Sequence, residues 1–423
     1  MDKIYEFNHK SGLPVIFIPK PGFSERYAMF TTKFGSADSC LTNLNLSSVG
    51  KMDVPQGIAH FLEHKLFEQK DGDVMSEYAK MGVRPNAFTS STQTSYLFSC
   101  TNNFEPALKL LLNYVQNPYF TPENVDKEKG IIGQEINMYL DNPDSVIYMN
   151  FLRGLYVNNP VRNDIAGSIE SISAITPDIL YLLYNTFYTP ENMVLVIVGD
   201  EEPSEIRRIV EESMEEQWVN RNSTGYAPYN VTEPMGIFEK YTEHKAEVST
   251  PSFMFGYKDN QHFDDPIYLA KKEIEVKILL EMLFGRCSDF YGSLYSEGII
   301  NESFYSFYEL ERGFAYTAFG GESRESSRVI ERIQKRIHEA KHGNISETDF
   351  SRIKRGSYGS FIKGFNSVEG VCRLYTNAAL ADVSVFDYFS LYDKIDFNSV
   401  VKRIKLFDES KSAISVIKPE NTD

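Results

Sequence analysis

His60, Glu63 and His64 fall within five consecutive positions of a chain that holds only seven histidines. They lie in the stretch Gly57 to Glu68, which reads GIAHFLEHKLFE. At about 100° per residue, a helix sets the two imidazoles roughly 40° apart on one face, a single turn from each other, with Glu63 beside them. Neutral imidazoles are good zinc ligands, and a catalytic zinc takes three protein ligands plus a water. A carboxylate next to such a site can take the proton from that water. The chemistry these residue types allow is metal-assisted hydrolysis. Ile58, Phe61, Leu62 and Leu66 form an apolar stripe that would pack the same helix without any metal, so the histidines could also be merely structural.

A third ligand must come from another element. Thr121-Pro122-Glu123 opens a second helix, with Thr as cap and Pro at the first helical position, and Asn142-Pro143 stops it. It carries Glu128 and Glu135, seven residues apart and therefore on one face. A long acidic helix usually turns its glutamates to solvent. Ile131, Ile132, Ile136 and Met138 nevertheless mark this helix as packed, and Glu135 is the candidate third ligand.

The elements that position these helices follow from periodicity and turn residues. Residues 13–18 and 27–33 read as strands, and residues 73–81 as a short helix closed by Gly82. The stretch Asn86 to Cys100 alternates at strand period from Thr94 onward and suggests a hairpin. A polar strand near a metal site can receive an extended peptide through main-chain hydrogen bonds, although an ordinary half-buried hairpin reads the same way. Residues 104–115 form an amphipathic helix, 193–198 a closing strand and 203–217 a charged helix.

The second half looks like a worn copy of the first, with a strand at 252–257, a helix at 265–284 and strands within 304–319. Helices at 324–342 and 346–363 and a closing strand at 413–417 complete it. Aligning the two helix starts sets Ile353 opposite Glu128 and Ser360 opposite Glu135, and the helix LLEMLFGRC has no histidine. The repeat keeps architecture and loses the metal site. The expected division is a metal-bearing catalytic domain over 1–219, a polar linker over 220–236 and a homologous metal-free domain over 237–423.

Composition agrees with a large globular protein: 423 residues exceed what one core usually supports, and 42% are hydrophobic. A net charge of −16 with no basic stripe argues against nucleic acid and anionic membranes as partners. No stretch is apolar for long enough to span a bilayer. The N-terminus has no secretory pattern, so a cytoplasmic location is expected. The four cysteines show no paired spacing and read as reduced core residues.

His60-Phe61-Leu62-Glu63-His64 inverts the familiar His-Glu-x-x-His spelling. With Glu128 and Glu135 about seventy residues on, Asn86-Ala87-Phe88-Thr89 and two similar halves, the chain resembles the pitrilysin/insulinase family of zinc metallopeptidases. The wording GIAHFLEHKLFE is similar to a short, bacterial, cytoplasmic branch. The resemblance implies an α+β fold of two homologous halves, each a mixed, mainly antiparallel sheet packed against helices. It implies one zinc per chain held by His60, His64 and Glu135, with Glu128 orienting a ligand histidine and Glu63 as general base. Asn86, Ala87 and Phe88 would grip the peptide backbone, while Arg312 and Tyr316 stand in the region, though not at the spacing, of the family's oxyanion and substrate residues. The implied activity is endopeptidase action on short or unfolded peptides inside a chamber. It also implies a heterodimer with a related metal-free subunit or, second, a homodimer. The alternative is a non-catalytic structural or chaperone-like subunit of the same fold.

Overall fold

The computed structural model describes residues 3–43, 50–220, 224–229, 231–260 and 265–420. Part of the expected linker, 221–223 and 230, lies outside them. The chain forms two compact units, each with one large sheet; the first also holds a three-stranded and a two-stranded sheet.

The first unit comprises 1–137, 163–230 and 363–384. Its six-stranded sheet runs in the order Tyr5–Asn8, Pro14–Pro19, Met193–Gly199, Arg26–Thr32, Thr94–Cys100 and Arg84–Thr89. Only the pairing of Pro14–Pro19 with Met193–Gly199 is parallel. Every residue of Met193–Gly199 is buried, as expected of a central strand covered on both faces. Arg84–Thr89 is the sheet's outer strand.

The second unit comprises 138–162, 231–362 and 385–423. Its sheet runs Tyr241–Ala246, Ser412–Pro419, Ser252–Lys258, Phe314–Glu322 and Tyr305–Glu311, again with one parallel pair, Tyr241–Ala246 with Ser412–Pro419, which matches the first sheet when both are counted from the last-named strand. The repeat is therefore structural, and the α+β expectation is met in both halves.

The units are not the contiguous domains expected at 1–219 and 237–423. Each takes in a segment from the opposite half of the chain. The helix Pro143–Leu155, which periodicity did not single out, packs on Ser412–Pro419, Ser252–Lys258 and Tyr241–Ala246. Phe151, Leu152 and Leu155 join a buried cluster there with Met254, Tyr316, Ala413 and Ile417. Conversely, Val368–Leu380 packs on Met193–Gly199 and Arg26–Thr32, with Cys372 Sγ 3.5 Å from the Val196 carbonyl. The physical reason is that a sheet of this kind has two apolar faces. In each unit, a helix from the other half packs on the sheet.

Two smaller readings change. Ile132 and Ile136 are buried on Pro122–Leu140, but Ile131 and Met138 are exposed. Cys40, Cys100 and Cys372 are buried free thiols, whereas Cys287 is exposed. Among the described residues, no helix is long and apolar enough to cross a membrane.

The exchange makes a specific demand on stability. Phe151→Ala should cost about 3–5 kcal/mol in urea denaturation. Hydrogen exchange should rise in Ser252–Lys258 and Ser412–Pro419, and not in the strands of the first unit.

Candidate metal centre

The motif helix, Ile58–Leu66, is locked in place before its histidines do anything. Ile58, Ala59, Phe61, Leu62 and Leu66 are buried, as the apolar stripe requires. Its entry turns on Gly57, whose φ of +86° is in the left-handed region. A Cβ there would lie 2.3 Å from the Ala166 carbonyl oxygen, so only glycine fits. The helix packs against Arg84–Thr89 of the sheet.

The imidazoles of His60 and His64 have centroids 4.5 Å apart. The second helix, Pro122–Leu140, is capped as its sequence suggests, with Thr121 Oγ1 accepting from the Asn124 N–H at 3.2 Å. It brings Glu135 opposite both histidines. Glu135 Oε1 is 3.7 Å from His60 Nε2, and Oε2 is 3.7 Å from His64 Nε2. One ligand atom from each of the three residues lies within 4.8 Å of the others.

The donor set fits a metal ion. Two imidazole nitrogens and a carboxylate converge, which suits zinc among divalent ions. Glu128 Oε1 lies 3.0 Å from His64 Nδ1, so a neutral His64 donates Nδ1–H to Glu128 and keeps its Nε2 lone pair toward the cluster. Burial, and then the neighbouring His64, push the His60 pKa down to about 4, so its imidazole is neutral at physiological pH. Burial opposes the charged form of His64 too. There the hydrogen bond to Glu128 and the charges of Glu128, Glu63 and Glu135 outweigh it and raise the pKa. That surplus of negative charge is also what a cation would compensate.

Glu63 is 8% exposed and faces a different environment. Burial raises its pKa, while a hydrogen bond from Thr89 Oγ1 to Oε2 at 2.6 Å opposes the shift. A carboxylate moved upward by burial is suited to taking and returning a proton.

Two participants escaped the sequence reading. Lys65, inside the motif itself, is fully buried, hydrogen-bonded to Glu68 and 3.7 Å from Glu128 Oε2. Its spacing from Glu68 was visible, but its burial was not. Thr89 closes the quoted Asn86-Ala87-Phe88-Thr89 stretch, and its tie to Glu63 depends on how strand and helix pack.

Asn86, Ala87 and Phe88 all lie on the outer strand. Asn86 Oδ1 accepts from the Ala87 N–H at 2.9 Å. The Phe88 ring is covered by the Arg373 guanidinium, 5.4 Å from its centroid. Arg312 and Tyr316 belong to the second unit. Tyr316 is completely buried, with its hydroxyl 2.7 Å from that of Tyr148, so it is a core residue there and not an open hydroxyl. Arg312 lies in the turn between Tyr305–Glu311 and Phe314–Glu322.

The chain of contacts through Glu128 has a measurable consequence. Glu128→Gln should weaken zinc binding about 10- to 100-fold in competition with a chromogenic chelator.

Comparison with known proteins places the chain in a family. Residues 48–168 match the family model described as insulinase (peptidase family M16), and residues 174–357 match the one described as peptidase M16 inactive domain. The uncharacterised zinc protease YmfH of Bacillus subtilis is 41% identical over 408 residues, 94% of this chain and 92% of that protein. A solved M16-like peptidase from Alicyclobacillus acidocaldarius is 32% identical, with 99% of both chains covered and a TM-score of 0.92. A protease from Helicobacter pylori, 19% identical, shares the fold over 99% of this chain and 100% of its own at a TM-score of 0.84. The resemblance seen in the motif is thus borne out along the chain, which belongs to the insulinase family of M16 peptidases.

Proposed function

We propose that this chain is a zinc-dependent endopeptidase that hydrolyses short or unfolded peptides in a chamber. The observation that carries the reading is the convergence of His60, His64 and Glu135 within 4.8 Å, with the buried carboxylate of Glu63 on the same helix as both histidines. Its relatives' description as zinc proteases supports the choice of metal and reaction.

Zinc held by His60, His64 and Glu135 would supply Lewis acidity, polarising a scissile carbonyl and bringing the pKa of a bound water toward about 7. The chain's own residues do the rest. Glu128 keeps His64 in one tautomer and one orientation. Glu63 takes the proton of the attacking water and returns it to the leaving amine. The outer strand Arg84–Thr89, unpaired on its far edge by any strand among the described residues, offers that edge to an extended peptide, where Asn86 and Ala87 align the substrate main chain whatever its side chains are.

Stabilising the oxyanion needs a further donor. Burial of Tyr316 against Tyr148 takes away one of the residues the family resemblance offered for that role. This favours a cytoplasmic heterodimer in which a related metal-free chain supplies the missing group, with a homodimer second. A non-catalytic subunit is the competing reading, and the match of residues 174–357 to an inactive-domain model is the observation on its side. A complete set of metal ligands and a general base weigh against it.

Peptide cleavage and zinc content, measured on the purified chain alone and with its nearest related chain, test these readings together. Activity only in the mixture supports the heterodimer, activity alone supports the homodimer, and metal-free, inert protein in both supports the non-catalytic subunit. Glu63→Gln should keep the metal and lose at least about 100-fold in turnover. Glu135→Ala should lose both metal and turnover, and a variant that bound zinc as tightly as wild type would remove Glu135 from the ligand set.

A further inference from the structure

Glu63 is held from behind by a pair of threonines whose protons can be assigned. Thr89 Oγ1 lies 2.6 Å from Glu63 Oε2 and 3.3 Å from Thr94 Oγ1. Thr94 Oγ1 lies 2.8 Å from the carbonyl oxygen of Phe34. A carbonyl only accepts, so the single hydroxyl proton of Thr94 is committed to Phe34 and Thr94 meets Thr89 with lone pairs. Thr89 therefore keeps its own proton to donate. It has two acceptors, a hydroxyl oxygen at 3.3 Å and a carboxylate at 2.6 Å. Distance and charge both select the carboxylate, since O–H···O⁻ bonds run at about 2.5–2.7 Å and are roughly twice as strong as neutral ones.

The backbone fixes this hydroxyl independently of Glu63. Thr89 and Thr94 are partners at the closed end of the hairpin. The turn between them is held by the Ser90 N–H donating to the Gln93 carbonyl at 2.8 Å, and by Ser36 and Ala37 N–H groups donating to the carbonyls of Ser90 and Ser91 at 3.0 and 2.9 Å. Gly35 allows this approach: a Cβ there would stand 2.4 Å from Thr92 N. Thr94 itself is completely buried. Thr89 thus presents a donor from a rigid frame, and among the described residues Glu63 Oε1 has no hydrogen bond.

We propose that Thr89 is the positioning residue of the general base, holding Glu63 Oε2 so that Oε1 is the oxygen that takes the proton and returns it. The inference rests on the peptidase reading above. The Thr89 hydroxyl is outside the metal-ligand group and acts through Glu63, so its loss should fall on kcat.

The test compares Thr89→Val, which keeps the shape and removes the hydroxyl, with Thr89→Ser, which keeps the hydroxyl. The readouts are kcat, KM and bound zinc, with peptide substrate under the condition that supports wild-type cleavage. Thr89→Val should lower kcat about 10- to 100-fold with KM within about twofold and zinc content unchanged. Thr89→Ser should recover most of the loss. If Thr89→Val yields no folded protein, Thr89→Ala against Thr89→Ser carries the same comparison. An active wild type with wild-type kcat in Thr89→Val, or a Thr89→Ser as slow as Thr89→Val, would overturn this inference alone. Zinc-loaded wild type that cuts no peptide under any condition would overturn the peptidase reading and this inference with it.

Discussion

Glu63, Lys65 and Glu128 are at most 8% exposed, and His60 and His64 are buried for the most part beside them. Ionisable groups held this far from water persist only if each has a partner, because an isolated buried charge is strongly disfavoured. The local structure answers that constraint residue by residue. Lys65 lies between Glu68 and Glu128, Glu128 takes His64 Nδ1, and Thr89 takes Glu63. His60, His64 and Glu135 face one another beside these pairs, and that is the set with metal-ligand chemistry. Among the described residues, His60 Nδ1 is buried without a hydrogen bond, and the ring's Nε2 is turned toward Glu135.

On the outer strand, alternation keeps two neighbouring side-chain contacts apart. Successive residues of a strand point to opposite faces. Thr89 reaches Glu63 on one face, while Phe88 meets Arg373 of the exchanged helix on the other. Among the described residues, no further strand of the sheet pairs with its outer main-chain edge. The strand that holds the Glu63 carboxylate is therefore also the outer strand of its sheet.

Exchange of helices ties the two halves in a way their repeat does not suggest. Each half carries a helix that covers the other's sheet, Pro143–Leu155 in one direction and Val368–Leu380 in the other. Cutting the chain at the expected linker would leave both sheets without a cover on one face. The C-terminal half, though it has no metal ligands in the places matching Glu128 and Glu135, still contributes Arg373 behind the outer strand.

Sequence alone determined what depends on spacing along one element. Two histidines four apart share a helical face, two glutamates seven apart share another, and alternation at 94–100 makes a strand, whatever the rest of the chain does. The repeat and the caps at Thr121 and Gly82 were legible for the same reason. Tertiary structure decided what depends on elements distant in the chain. The burial of Lys65, the hold of Thr89 on Glu63, the placing of Tyr316 in a core with Tyr148, and the exchange of two helices all follow from which apolar faces meet. Periodicity states that a face is apolar, and only packing states what covers it.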